Sequence, residues 1–99
     1  MSVKSVFEFK FPEKAQQEGL VICRDIGHDM TLLKGYMDHE VIQDVTDPGH
    51  MMVNTLWTSE EASTAVLSKY QQDEKIKRAT TLISAPPSGF VGTVLSKNS

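Results

Sequence analysis

The sequence predicts an α+β fold with the element order β-α-β-β-α-β. Three observations carry this: alternating phenylalanines near the N-terminus, an apolar stripe at helical spacing after them, and a Pro-Gly turn between two β-rich runs. Phe7, Phe9 and Phe11 alternate with Glu8 and Lys10, the period of a strand with one buried face. Pro12 ends that ladder and suits the first turn of a helix, with Glu13 complementing the helix N-terminus. Ala15, Gly19, Ile22, Cys23, Ile26, Met30 and Leu33 then recur at three- and four-residue steps, opposite Lys14, Gln17, Arg24, Asp25 and His28. Gly19 falls on the apolar stripe, where a missing side chain lets a helix come close to a sheet.

Gly35 marks the end of this helix, and the β-branched run 36–46 is the second strand. Asp47, Pro48 and Gly49 form a turn in which glycine would supply a positive φ, so the run 50–57 folds back antiparallel. Met51, Met52 and Val53 are consecutive and apolar, which predicts a strand covered on both faces. Thr58 and Glu61 have the spacing of a capping box for a second helix, broken by the polar stretch 71–74 and resumed through Ile76, Ala79, Thr80 and Ile83. Loop chemistry over 84–89 precedes a last strand at 90–95 and a polar tail at 96–99. The order is that of a split βαβ, or ferredoxin-like, domain spanning 1–99. Its helices cover one sheet face, and a homodimer joined through the sheets would cover the other.

Composition excludes several function classes. Ten Lys+Arg against thirteen Asp+Glu give a net charge of −3, the wrong sign for a nucleic-acid-binding protein. The N-terminus lacks the apolar core of a secretion signal and no run is long enough to span a membrane, so a cytoplasmic protein is expected. The single cysteine, Cys23, sits on the apolar stripe and reads as a small buried hydrophobe. No two histidines have a metal-binding spacing, and neither a phosphate-binding glycine loop nor a nucleophile elbow is present. No metal and no cofactor are expected.

The stretch 35–62 resembles the antibiotic-biosynthesis-monooxygenase family of dimeric α/β-barrel proteins. The matching pieces are Gly35 opening a strand, His39-Glu40 and Gln43-Asp44 within it, Asp47-Pro48 at the turn, and Leu56-Trp57-Thr58-Ser59-Glu60-Glu61-Ala62 running from strand into helix. The resemblance implies a ferredoxin-like protomer, a homodimer whose sheets form an α+β barrel, and a pocket between each sheet and its own helices. It also implies cofactor-independent oxygenation of a small electron-rich aromatic molecule such as a quinol or an anthrone.

Candidate groups for such a pocket are His39, Asn54 and Trp57 as catalytic residues and Tyr70 and Arg78 as substrate-binding ones. His39 shares the parity of Met37 and Val41, and its imidazole is a candidate general base or, more plainly, a hydrogen-bonded structural histidine. Trp57 reads first as a core anchor holding the helix on the sheet, and Asn54, three residues earlier, points to the opposite face in a regular strand, where a structural hydrogen bond is its plainer role. Arg78, grouped with Lys75 and Lys77, would hold an anion. Two departures stand against the family pattern: Thr55 replaces a glutamate two residues before the tryptophan, and Val66 replaces a histidine of the following helix. The haem-binding histidine of the haem-degrading branch would fall near Ile76, so histidine ligation of haem by that route is absent. These departures keep a second reading open, a noncatalytic dimeric binding or stress-response module of the same fold.

Overall fold

A computed structural model describes residues 2–70, 73–83 and 87–96. Four strands, β1 (Val3–Lys10), β2 (Tyr36–Gln43), β3 (His50–Trp57) and β4 (Ser88–Thr93), form one sheet in the order β2-β3-β1-β4, with every neighbouring pair antiparallel. Helices α1 (Gln16–Met30), α2 (Glu60–Tyr70) and α3 (Glu74–Leu82) complete the α+β, ferredoxin-like fold. None of the described helices is long and apolar enough to cross a membrane.

Strand parity builds the core. Val3, Ser5, Phe7 and Phe9 of β1 and Met51, Val53, Thr55 and Trp57 of β3 are buried, while the residues between them are only half-buried or exposed. The β1–β3 register sets Ser5 beside Thr55, Phe7 beside Val53 and Phe9 beside Met51. Helix α1 brings Ile22, Cys23, Ile26 and Met30 onto this face. Met51 and Val53 therefore face the helices and Met52 the other side, which divides the consecutive apolar run between the two faces. The expected close approach at Gly19 is present, since a Cβ there would stand 2.5 Å from the Phe11 ring.

Several local expectations need correction. The first helical turn is a 3-10 turn, Glu13–Ala15, and α1 ends at Met30, so Leu33 packs from the following turn. Strand β2 stops at Gln43, because Asp44 turns the chain by accepting from the backbone and hydroxyl of Thr46. The turn closes through His50 N–H donating to the Asp47 carbonyl at 2.9 Å, yet the positive-φ glycine among the described residues is Gly35, at φ 90°, and not Gly49. Gly49 is needed for proximity instead: a Cβ would lie 2.1 Å from the Phe11 carbonyl oxygen. Ser59, not Thr58, caps α2 by accepting from the Ala62 N–H at 3.2 Å. Strand β4 begins and ends two residues earlier than the expected 90–95. The break expected at 71–74 falls mostly outside the described residues, as do part of the 84–89 loop and the tail beyond 96.

Trp57 locks the two central strands together. Its indole N–H donates to Ser5 Oγ at 2.9 Å, and both residues are fully buried. Beside them the Thr55 hydroxyl is sealed with no hydrogen-bond partner among the described residues. The two hydroxyls should respond oppositely to removal. Ser5→Ala strands the buried indole N–H and should cost about 1–3 kcal/mol, whereas Thr55→Val removes an unpaired polar group and should raise stability by about 1 kcal/mol. Urea unfolding midpoints of the two variants, moving in opposite directions from the parent, check this.

Candidate functional site

The residues nominated from sequence do not converge on one cavity. Trp57 and His39 lie on the helix side of the sheet and Asn54 on the open side. Met37 does not share the row of His39 and Val41, because a register shift between Tyr36 and Asp38 takes it out of the ladder. The His39 ring is half-buried, with Nδ1 2.7 Å from the Tyr36 hydroxyl, and packs under α1 where a Cβ on Gly27 would stand 2.7 Å from it. That position holds the imidazole in place between Tyr36 and α1. Arg78 is exposed and pairs with Glu18 of α1, which ties α3 to α1 and spends its charge within the chain. The side chain of Tyr70 lies outside the described residues.

Among the described residues, concavities border the sheet on both faces. On the open face a groove of about 560 Å³ runs past Lys4, Asp38, Glu40, Asn54 and Leu56. His39 and Asn54 both line that groove. Beneath α2 and α3 a cavity of about 300 Å³ is lined by Phe7, Phe9, Leu67 and Ile76 and has no titratable group. Between the turn before β2 and the exposed end of α2 lies a cleft of about 380 Å³, bordered by Leu33, Lys34, Gly35, Ala62, Val66 and Lys69. An apolar wall with a few charged groups is the composition of a small-molecule site, and this cleft has it.

Local sequence explains the cleft. Helix α2 presents Ala62, Ala65, Val66 and Lys69, spaced by three and four residues, so small side chains leave space along one stripe and a lysine ends it. Gly35 closes the other end: a Cβ there would meet the Ala62 methyl at 2.6 Å and lie 3.9 Å from the Trp57 ring. The Gly35 carbonyl accepts from the Thr58 N–H at 2.9 Å, which fixes the turn against the start of α2. Tyr36 follows and stacks edge-on against Trp57, with centroids 6.4 Å apart. Of these residues, sequence reasoning nominated only Trp57 for chemistry. The signal it passed over was the alanine stripe of α2 ending on Lys69.

Perturbed titrations lie away from the cleft. Burial pushes the Cys23 thiol up to about 12, so it is not a nucleophile near neutrality. At the β2–β3 turn the hydrogen bond from His50 holds Asp44 well below the usual carboxylate range, with help from Thr46, and the same bond raises His50. His50 stands 3.0 Å from Asp44 and 3.5 Å from Glu8. Among the described residues no group of three or more His, Cys, Asp and Glu side chains is placed to hold a metal ion.

Comparison with known proteins gives likeness of fold. No family model and no curated protein sequence matches the chain. Solved structures do, over nearly the whole length. A candidate antibiotic biosynthesis monooxygenase from Deinococcus radiodurans superposes with a TM-score of 0.82 at 13% identity, covering 100% of this chain and 97% of that one. A mutant of SnoaB, a cofactor-independent oxygenase from Streptomyces nogalater, gives 0.81 at 14% identity, covering 97% and 95%. A further candidate monooxygenase of this kind, from Nitrosomonas europaea, gives 0.80 at 10% identity, covering 98% and 94%. The fold that the sequence resemblance implied is the fold these proteins share.

The His50 cluster carries a pH prediction. A histidine whose folded-state pKa is raised contributes stability that is complete below its unfolded value and is lost as the pH climbs through the raised one. The depressed Asp44 contributes above the ordinary carboxylate range and loses this as the pH falls through its lowered value. The melting-temperature difference between the parent and His50→Gln should therefore be largest near about pH 5–6 and shrink toward about pH 9. A pH series of thermal melts checks it.

Proposed function

We propose that this protein is a cofactor-independent oxygenase of small electron-rich aromatic molecules, quinol- or anthrone-like, working as a homodimer. The observation that carries the reading is the cleft between the Gly35 turn and α2, apolar along α2 and charged at its rim, on a fold shared with a cofactor-independent oxygenase. Such a substrate supplies its own electrons. Its anion passes one electron to O2, the radicals combine, and loss of water converts a CH2 group into C=O. The first oxygen atom stays in the product and the second leaves as water with both substrate hydrogens, so no external reductant enters. The protein's share is to shield the aromatic body from water and favour the anion electrostatically.

The binding-module reading rests on a specific observation. The position matched to a helix histidine lines the cleft as Val66, and the position matched to a strand glutamate is the sealed Thr55. Glu61 is the carboxylate bordering the cleft, and it is exposed at the rim. Oxygen-uptake measurements separate the readings. Protein purified without added metal or flavin should raise uptake by anthrone above its spontaneous rate, and Ala65→Trp, which fills the cleft from an exposed position, should abolish the gain. Equal uptake with and without protein, together with retained anthrone binding, leaves the module.

The homodimer is supported by the open sheet face. Val6, Met52 and Leu56 are half-buried there, and Phe90 and Ile42 are 62% and 42% exposed. A second copy packed sheet to sheet would cover them. Light scattering at micromolar concentration should give twice the chain mass, and Phe90→Asp should return the single-chain mass with the fold intact. Val53→Asp should unfold the chain instead, because Val53 is fully buried under the helices and an unpaired carboxylate there costs several kcal/mol.

A further inference from the structure

We infer that the cleft selects a ligand bearing one anionic group, and that Lys69 is the residue that holds it. The inference rests on the cleft as the ligand site and adds the ligand's charge and orientation. Two lysines and one carboxylate border this cavity, and they are not distributed evenly. Lys34 precedes Gly35, which approaches Ala62, the residue after Glu61, so the closed end carries a lysine together with a carboxylate. Lys69 lies seven residues further along α2, about 10 Å at the helical rise. Among the described residues no carboxylate forms an ion pair with it. The basic residue of α3 that sequence reasoning assigned to an anion, Arg78, is already paired with Glu18.

The chemistry follows from this layout. The wall between the closed end and Lys69 is apolar, made of Leu33, Ala62 and Val66, in a cleft of about 380 Å³. A carboxylate or phenolate at one end of a fused two-ring aromatic body would reach the ammonium of Lys69 while its rings cover the alanine stripe. A neutral molecule of the same shape would fill the same space and leave the ammonium to water. An exposed ion pair is modest in strength, so the charge governs which ligand is preferred more than whether any ligand binds.

Titration of 15N-labelled protein with 1-naphthoate and with its neutral isostere 1-naphthamide tests this. Both probes should shift the amides of Gly35, Ala62 and Val66, with naphthoate binding more tightly at low salt and losing that advantage at high salt. Lys69→Gln should weaken naphthoate by about fivefold and leave naphthamide unchanged. Lys34→Gln, at the end of the cleft that also carries Glu61, should change naphthoate by less than twofold. The inference is overturned if the two probes bind equally at low salt, if Lys69→Gln leaves naphthoate binding unaltered, or if neither probe shifts the cleft amides. Failure of oxygen uptake with selective naphthoate binding retained would remove the oxygenase reading and leave this assignment standing.

Discussion

The bond from the Trp57 indole to Ser5 Oγ is the constraint on which the rest of the molecule hangs. A buried indole N–H needs an acceptor, and the nearest strand offers a single small hydroxyl among phenylalanines. Meeting that need fixes β1 against β3 in one register, because a slip of one residue would turn Phe7 and Phe9 to the open side and leave the indole unpaired. Once the central pair is fixed, α1 has one place to lie, with Gly19 against Phe11 and Gly27 against His39. Trp57 then supports Tyr36 and the turn at Gly35, and the cleft is what remains between that turn and α2.

Strand parity and helix periodicity were readable because they are written in many residues at once. The phenylalanine alternation, the α1 stripe and the opposed faces of Asn54 and Trp57 all appear where their spacing puts them. What could not be read depends on single atoms meeting across the fold. The choice of Ser59 over Thr58 as cap turns on which hydroxyl reaches the Ala62 N–H. Gly49 serves a carbonyl of Phe11 that is distant in sequence, and no turn rule reports that contact. The register shift between Tyr36 and Asp38 takes Met37 out of the row that His39 and Val41 share, and no spacing rule reports it. Arg78 had the charge expected of an anion-binding residue, and Glu18, sixty positions away, had already claimed it.

The candidate site shows how little of this chemistry need be encoded as a motif. A reaction whose substrate carries its own electrons asks the protein for volume, dryness and a favourable field, and these come from small residues as readily as from acids and bases. The cleft exists because Ala62 and Ala65 are short and Gly35 has no side chain at all. A scan for histidines and carboxylates passes over it. The perturbed pair Asp44 and His50 holds a turn together at the other end of β3. Perturbation of these groups marks a structural contact, away from the candidate cleft.

The two glycines of α1 have a consequence for how the helix comes to exist. Each lowers helical propensity by about 1 kcal/mol relative to alanine, and both lie inside a helix of 15 residues, near the length at which isolated helices are marginal in water. The same two positions are where the helix touches Phe11 and His39 most closely. The residues that let α1 dock are thus the residues that keep it from standing alone. Its helical order is lent by the sheet, and any event that loosens β2 or the end of β1 withdraws that order from the whole segment together.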